Sequence, residues 1–339
     1  MNHKAPLPAV QESEIVRLFV LTARLLELLD LFQAAEVPVL VLKGPVLAQL
    51  LYGDPTARSY SDLDILVRRK DAPRAARVLE ENGYPLRTPF VWTSLPDLIS
   101  RHKELNFVHA IGVDVDLQWE VGPAGFPFRF DPEVLWSSMT LVEIAARGVP
   151  TLNSDCLLLF LCVHGAVHAW SNRAWVRDVE RLIVLRREAG QDLDWRGVLE
   201  LAKRTGCLRP VLLGALLAYD LFVPAAPVPP DVLDQARAIP AVARLAGEVK
   251  QRLNADVVVG PSSFETTRFN ARLTPNVWAR VKCYAALLKA PTEADARLLR
   301  LPPALTGLYY PFRVVRLVGK YGLRLIRPAS RPPGTASSG

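Results

Sequence analysis

Apolar residues recur at helical spacing at the start of the chain. Ile15, Leu18, Phe19, Leu25, Leu26, Leu29 and Phe32 predict a long first helix over Glu14–Ala35. Val37 to Leu42 is then continuously apolar and rich in β-branched residues, which reads as a buried strand. Gly44 permits a tight turn, and Pro45 suits the first position of a helix running to about Tyr52. A second strand ends at Val67, and Asp71 is the expected N-cap of a helix ending at Gly83. Residues 84–104, with Pro85, Pro89, Phe90, Trp92 and Pro96, show no clean period and read as a loop-rich insertion. Leu105–His109 and Val113–Glu120 form a predicted hairpin around Ala110-Ile111-Gly112. In its return strand Val113, Val115, Leu117 and Trp119 share one face, and Asp114, Asp116 and Gln118 share the other.

From Asp155 the period stays helical. Helices are predicted over Asp155–Trp170, Arg173–Ala189, Asp194–Thr205, Leu208–Phe222, Asp231–Asn254, Thr274–Leu288 and Leu305–Arg327, with Pro224–Pro230 a rigid linker. The expected fold class is α+β. A small mixed sheet with flanking helices occupies 1–150, an all-helical domain 151–327, and a disordered polar tail 328–339.

One strand breaks the apolar pattern. In Ser61-Asp62-Leu63-Asp64-Ile65-Leu66-Val67 two carboxylates point to one face and Leu63, Ile65 and Val67 to the other. Neighbouring anions in a half-buried site are costly unless a cation lies between them. About twenty residues upstream, Lys43-Gly44 opens a strand-to-helix turn of the kind that holds phosphates. Asp116, brought alongside by a neighbouring strand, is the preferred third carboxylate, and Asp114 on the same face is the fallback. The alternative is an edge strand with two solvated aspartates.

Composition narrows the class. Half of the 339 residues are hydrophobic, which describes a globular chain, and the +7 net charge favours an anionic partner or simply solubility. Cys156, Cys162, Cys207 and Cys283 are widely spaced and read as reduced thiols of a cytoplasmic protein, with no zinc-type spacing. No signal peptide or transmembrane run is expected.

Lys43-Gly44, Leu51-Tyr52-Gly53-Asp54-Pro55, Arg58 and Ser61 to Val67 together resemble the DNA-polymerase-β-type nucleotidyltransferase superfamily. More narrowly they resemble the bacterial family known as uncharacterised nucleotidyltransferase. The resemblance continues in Asp116-Leu117-Gln118-Trp119, where the family tends to have His at the Gln118 position, and in His164, His168, Trp175 and Asp178. It implies a polymerase-β-like fold and an enzyme moving a nucleotidyl group from an NTP, ATP first, to an unidentified acceptor hydroxyl. It implies two Mg²⁺ ions, with Mn²⁺ the alternative, held by Asp62, Asp64 and Asp116. Lys43, Gly44, Arg58 and Ser61 would bind the nucleotide. Many superfamily members place Gly-Ser at the turn; Gly44-Pro45 lacks that serine, and Lys43 is the expected substitute.

Two features lie outside that core. His164 and His168 share a helical face, extended by Trp175 and Asp178 if one helix continues through 171–172. Buried contacts between the two domains are the favoured reading, and a base or acceptor site is the other. Arg313, Arg316, Lys320, Arg324 and Arg327 form a basic stripe, read either as a solvated face or as a contact for anionic membrane or nucleic acid. Rival functions are a glycosyltransferase using Asp-x-Asp, a non-catalytic nucleotide-binding or interaction protein, and a toxin-type nucleotidyltransferase acting on tRNA or protein.

Overall fold

The computed structural model describes residues 12–87, 94–122, 132–222, 224, 226–255, 262–289, 295, 298–299, 301 and 303–326. The expected tail over 328–339, Arg327, and Pro89, Phe90 and Trp92 lie outside these residues. Helix α1 (Glu12–Ala34) leads into strand β1 (Val39–Val41), helix α2 (Pro45–Tyr52) and strand β2 (Asp62–Val67). Helices α3 (Ala72–Glu81) and α4 (Leu95–Arg101) then connect to strands β3 (Glu104–Val108) and β4 (Asp114–Gln118). These strands form a sheet in the order β1-β2-β4-β3. β2 pairs antiparallel with β1 and parallel with β4, and β3–β4 is the antiparallel hairpin.

Each sheet face has its own core. Leu63, Ile65 and Val67 pack with Val39, Val41 and the Leu18, Leu21, Leu25, Leu28 and Phe32 stripe of α1. Burying such a side chain contributes about 1.5–3 kcal/mol, so this stripe clamps α1 to the sheet. The opposite face offers Leu40, Leu42 and Leu66 to a second core, filled by helices α6 (Ser154–Val167), α7 (Arg173–Glu188), α8 (Trp195–Arg204) and α9 (Leu208–Asp220). Asp62 and Asp64 alternate with Leu63 and Ile65, so they share the helix-covered face with Leu66.

Several elements differ from the sequence expectations. Helix α5 (Pro132–Ser137) precedes a hairpin of β5 (Met139–Ile144) and β6 (Arg147–Leu152) that the sequence pattern did not signal. Its two-residue turn, Ala145-Ala146, has φ of 51° and 62°. Positive φ is the demand of a primed hairpin turn, ordinarily met by Asn or Gly. Thr151 Oγ1 donates to the Val41 carbonyl at 2.7 Å and ties the hairpin to β1. The insertion over 84–104 contains α4, capped by Ser94, whose side chain accepts from the Asp97 N–H. Asp71 stands at the N-cap of α3 without a capping hydrogen bond from its side chain.

The expected helix over Asp231–Asn254 is two, α10 (Pro230–Ala238) and α11 (Pro240–Asn254), because Pro240 clashes with and removes a bond from the preceding turn. Helix α12 (Ser263–Leu273) carries a Ser262/Glu265 capping box and was missed. Helix α13 (Val277–Lys289) follows, then a 3₁₀ turn over Pro303–Leu308 and helix α14 (Tyr309–Ile326). Two arginines of the basic stripe on α14 face inward. Arg313 is buried, and Arg313 Nη1 and Arg316 Nε each reach the buried Asp295 carboxylate at 2.6 Å. Val314, Val315 and Val318 are exposed instead, so the solvated cationic face expected there is corrected for these two arginines. The side chains of Lys320 and Arg324 lie outside the described residues. Among the described residues no helix is long and apolar enough to cross a membrane.

Candidate active site

Register assembles the carboxylates. In the parallel β2–β4 pair Asp64 lies opposite Asp116 and Asp62 opposite Asp114. Carboxylate oxygens of Asp62, Asp64 and Asp116 all lie within 4.8 Å of one another. Asp114 is outside this cluster and faces Arg87 at 3.6 Å. Parallel pairing sets the two strands in step, so carboxylates 52 positions apart meet on one face.

Asp64 is buried. Lys43 Nζ stands 3.0 Å from its Oδ2, and Gln118 Nε2 donates to its Oδ1 at 2.8 Å. Burial raises its pKa above the ordinary aspartate value, the adjacent Asp62 adds to that, and Lys43 and Gln118 oppose it. Asp116 is pushed up to about 7, first by burial and then by Asp64, Asp62 and Glu104, against the hydrogen bond from Asn106. That bond, Asn106 Nδ2 to Asp116 Oδ1, is 2.6 Å long. Asn106, Glu104 and Gln118 are the site residues that sequence reasoning passed over or read as a departure. The signal was the alternation of β3, which puts Glu104 and Asn106 on one face beside the Asp116 face of β4.

The Lys43-Gly44 turn sits beside this cluster. Gly44 has φ 66° and ψ −134°, a conformation reserved almost entirely for glycine. A Cβ there would stand 3.4 Å from the Asp62 carbonyl oxygen, so the turn hugs the start of β2. Pro45 then opens α2. Ser61 Oγ donates to Asp62 Oδ1 at 3.2 Å and is exposed.

Arg58 is paired with a carboxylate of the helical part. Its Nε lies 2.9 and 3.0 Å from the two Asp178 carboxylate oxygens, and its Nη2 lies 2.8 Å from Oδ2. Both side chains are buried, and the pair fastens the segment before β2 to α7. The helix does not continue through 171–172, so His164 and His168 lie on one helix and Trp175 and Asp178 on another. α6 ends at Val167, Ala169 and Trp170 turn left-handed with φ of 53° and 51°, and Asn172 caps the separate α7. Trp175 therefore approaches from a second helix, with its ring 5.2 Å from both His164 and His168, which are 4.7 Å apart. Burial lowers both histidine pKa values, and Lys43 lowers them further. The Asp62 charge acts on His168 in the opposite sense, which puts this aromatic cluster within electrostatic reach of the carboxylates.

A cluster of three carboxylates with few cations beside it has the donor chemistry of a hard divalent ion, oxygen ligands from rigid strands. The neighbouring anions that add to burial in lifting Asp116 are what such an ion would offset. A small mixed sheet thus presents these acids beside a glycine turn, with helices following. The chain belongs to the family described as uncharacterised nucleotidyltransferase, whose pattern it matches over residues 9–223. Two solved structures are similar at low identity. Lincosamide antibiotic adenylyltransferase LnuA, with lincomycin bound, is 18% identical over 52% of this chain and 98% of that one, at TM-score 0.33. An antigenic nucleotidyltransferase-like protein from Paracoccidioides brasiliensis is 14% identical over 60% and 93%, at TM-score 0.31. No curated protein matches the chain.

Proposed function

We propose that this nucleotidyltransferase is Mg²⁺-dependent and moves a nucleotidyl group from an NTP, ATP first, to an acceptor hydroxyl. The observation that carries the reading is the convergence of Asp62, Asp64 and Asp116 beside the Lys43-Gly44 turn. Asp62, Asp64 and Asp116 hold the ions, two in number, with Mn²⁺ able to substitute. When bound, the metal supplies charge neutralisation at the phosphate oxygens and acidifies the attacking hydroxyl. Lys43 leaves Asp64 to face the triphosphate as a point charge, in place of the serine absent at Pro45. Asp116 takes the hydroxyl proton on a carboxylate oxygen. The acceptor oxygen bonds to the α-phosphorus, the α–β bridging bond breaks, and pyrophosphate leaves. Rate comes mainly from positioning and fixed charge. Residues 1–150 carry this chemistry, and 151–327 form the helical domain that backs it, in a cytoplasmic enzyme.

A second reading is favoured by one observation: Asp64 already has both oxygens engaged, by Lys43 and Gln118. A non-catalytic nucleotide-binding protein on this fold fits that arrangement. Incubation of the protein with Mg²⁺, each labelled NTP and a cell lysate separates the two. Label transferred to an acceptor, and lost in Asp62→Asn/Asp64→Asn, supports the enzyme. Nucleotide binding without transfer supports the binder, and no binding of any NTP with Mg²⁺ refutes both.

A further inference from the structure

The whole charge excess of this protein lies at one end. Residues 296–339 hold eight Lys and Arg and no Asp or Glu, against a net charge of +7 for the full chain. The first 295 residues are therefore close to neutral. Residues 274–289 add Arg280, Lys282 and Lys289, again without an acid. Several apolar side chains of this basic stretch are exposed, while Cys283, Tyr309 and Leu317 are buried. On α13, Val277, Trp278 and Val281 are exposed, Trp278 at 75%. On α14, which packs against α13, Val314, Val315 and Val318 are exposed, Val315 at 70%. Positions 314, 315 and 318 share one face of a helix. The cause of this inversion is Asp295, which draws Arg313 and Arg316 inward and turns the valines out.

We infer that the exposed apolar residues of the packed pair α13 and α14 dock on an anionic lipid bilayer. A helix lying in the interface needs an apolar face to enter the headgroup boundary, an aromatic residue at that depth, and cations nearby for the anionic headgroups. Val314, Val315 and Val318 supply the first and Trp278 the second. The exposed Arg280 and Lys282 supply the third. Charge selects this occupant over two others. A second copy of the chain would bring one strongly basic segment against another. A nucleic acid would be met by a row of cations, whereas on α14 Arg313 and Arg316 are committed to Asp295 and Val314, Val315 and Val318 are exposed in their place. The surface is independent of the nucleotidyl-transfer site, so failure of one leaves the other intact.

The test uses the full chain and sedimentation with phosphatidylcholine vesicles, pure or with about 40% phosphatidylglycerol. The expected result is at least tenfold stronger partitioning onto the anionic vesicles, weakened at high salt. The surface variant W278S/V281S/V315S/V318S should lose at least tenfold of that binding with its melting temperature unchanged, since all four positions are exposed. Equal binding to both vesicle types, or retained binding by the variant, overturns the proposal. So does a wild-type dimer in solution that the variant splits, or tighter binding to duplex RNA or DNA than to the vesicles.

Discussion

Replacing Asp178 by Leu should destabilise the protein far more than an ordinary surface change. The pair it forms with Arg58 has three contacts between 2.8 and 3.0 Å. The two side chains are only 9% and 2% exposed, so solvent screens the pair little. Removing one partner of such a pair leaves the other charge buried and alone, at a cost of about 3–5 kcal/mol. With a denaturant slope of about 3 kcal/mol per molar urea, the unfolding midpoint should drop by about 1 M or more. The double variant Arg58→Met/Asp178→Leu removes both charges and should recover most of the loss, because matched apolar groups are close to neutral there. Urea titration followed by far-ultraviolet circular dichroism of wild type, both single variants and the double variant completes the cycle. A single-variant cost under about 1 kcal/mol, or a double variant as unstable as the singles combined, refutes the reasoning. If Arg58 instead served a phosphate, Arg58→Met would weaken NTP binding and leave stability unchanged.

Other outcomes follow from the site. Asp62→Asn should cut Mg²⁺-dependent transfer about a thousandfold, read as labelled product per minute, since it removes one of three carboxylates placed for the metal. Lys43→Met should move the Mn²⁺ titration midpoint to lower concentration, because a resident cation leaves Asp64, while weakening NTP binding about tenfold; calorimetry that finds both weakened counts against a cation displaced by metal. His164 has a folded pKa well below its usual value, so below about pH 6.5 the unfolded chain takes up a proton that the folded chain refuses. Stability should therefore fall with acidification, by up to about 1.4 kcal/mol per pH unit, and His164→Gln should flatten that slope in melting curves between pH 7 and 5. Gly44→Ala should cost about 1–3 kcal/mol, because alanine resists the φ of 66° that the turn requires; thermal unfolding measures it.

What the sequence disclosed depended on how local the signal was. The α1 stripe, the Pro45 start of α2 and the β3–β4 hairpin follow from period and turn chemistry within a few residues, and their bounds shift by only one or two positions. β5–β6 was invisible because Ala145-Ala146 adopts a turn that normally announces itself with Asn or Gly. Asp62 and Asp64 stood out as anions in an apolar strand. Their meeting with Asp116 rests on β2–β4 register, which sequence suggests only by assuming that the strands are neighbours. The partners of Arg58 and Arg313 were hidden for a related reason. Asp178 lies 120 positions from Arg58, Asp295 lies 18 from Arg313, and a cation bound inward has the same sequence appearance as one bathed in water.

The two-faced sheet has a consequence for synthesis. Leu40, Leu42 and Leu66 share one core with Leu47 and Leu51 of α2, Leu152 of β6, and α6 and the helices after it, which begin at Ser154 and close around α9 at Asp220. At about 5–20 residues per second, the ribosome needs roughly 3–13 s to make that cover after β6 has emerged. During that interval this side of the sheet has α2 and the β5–β6 hairpin beside it but lacks the larger part of its core. The nascent chain thus exposes apolar surface midway through its translation. A polypeptide ended near residue 150 would keep that state permanently and would associate through the uncovered face.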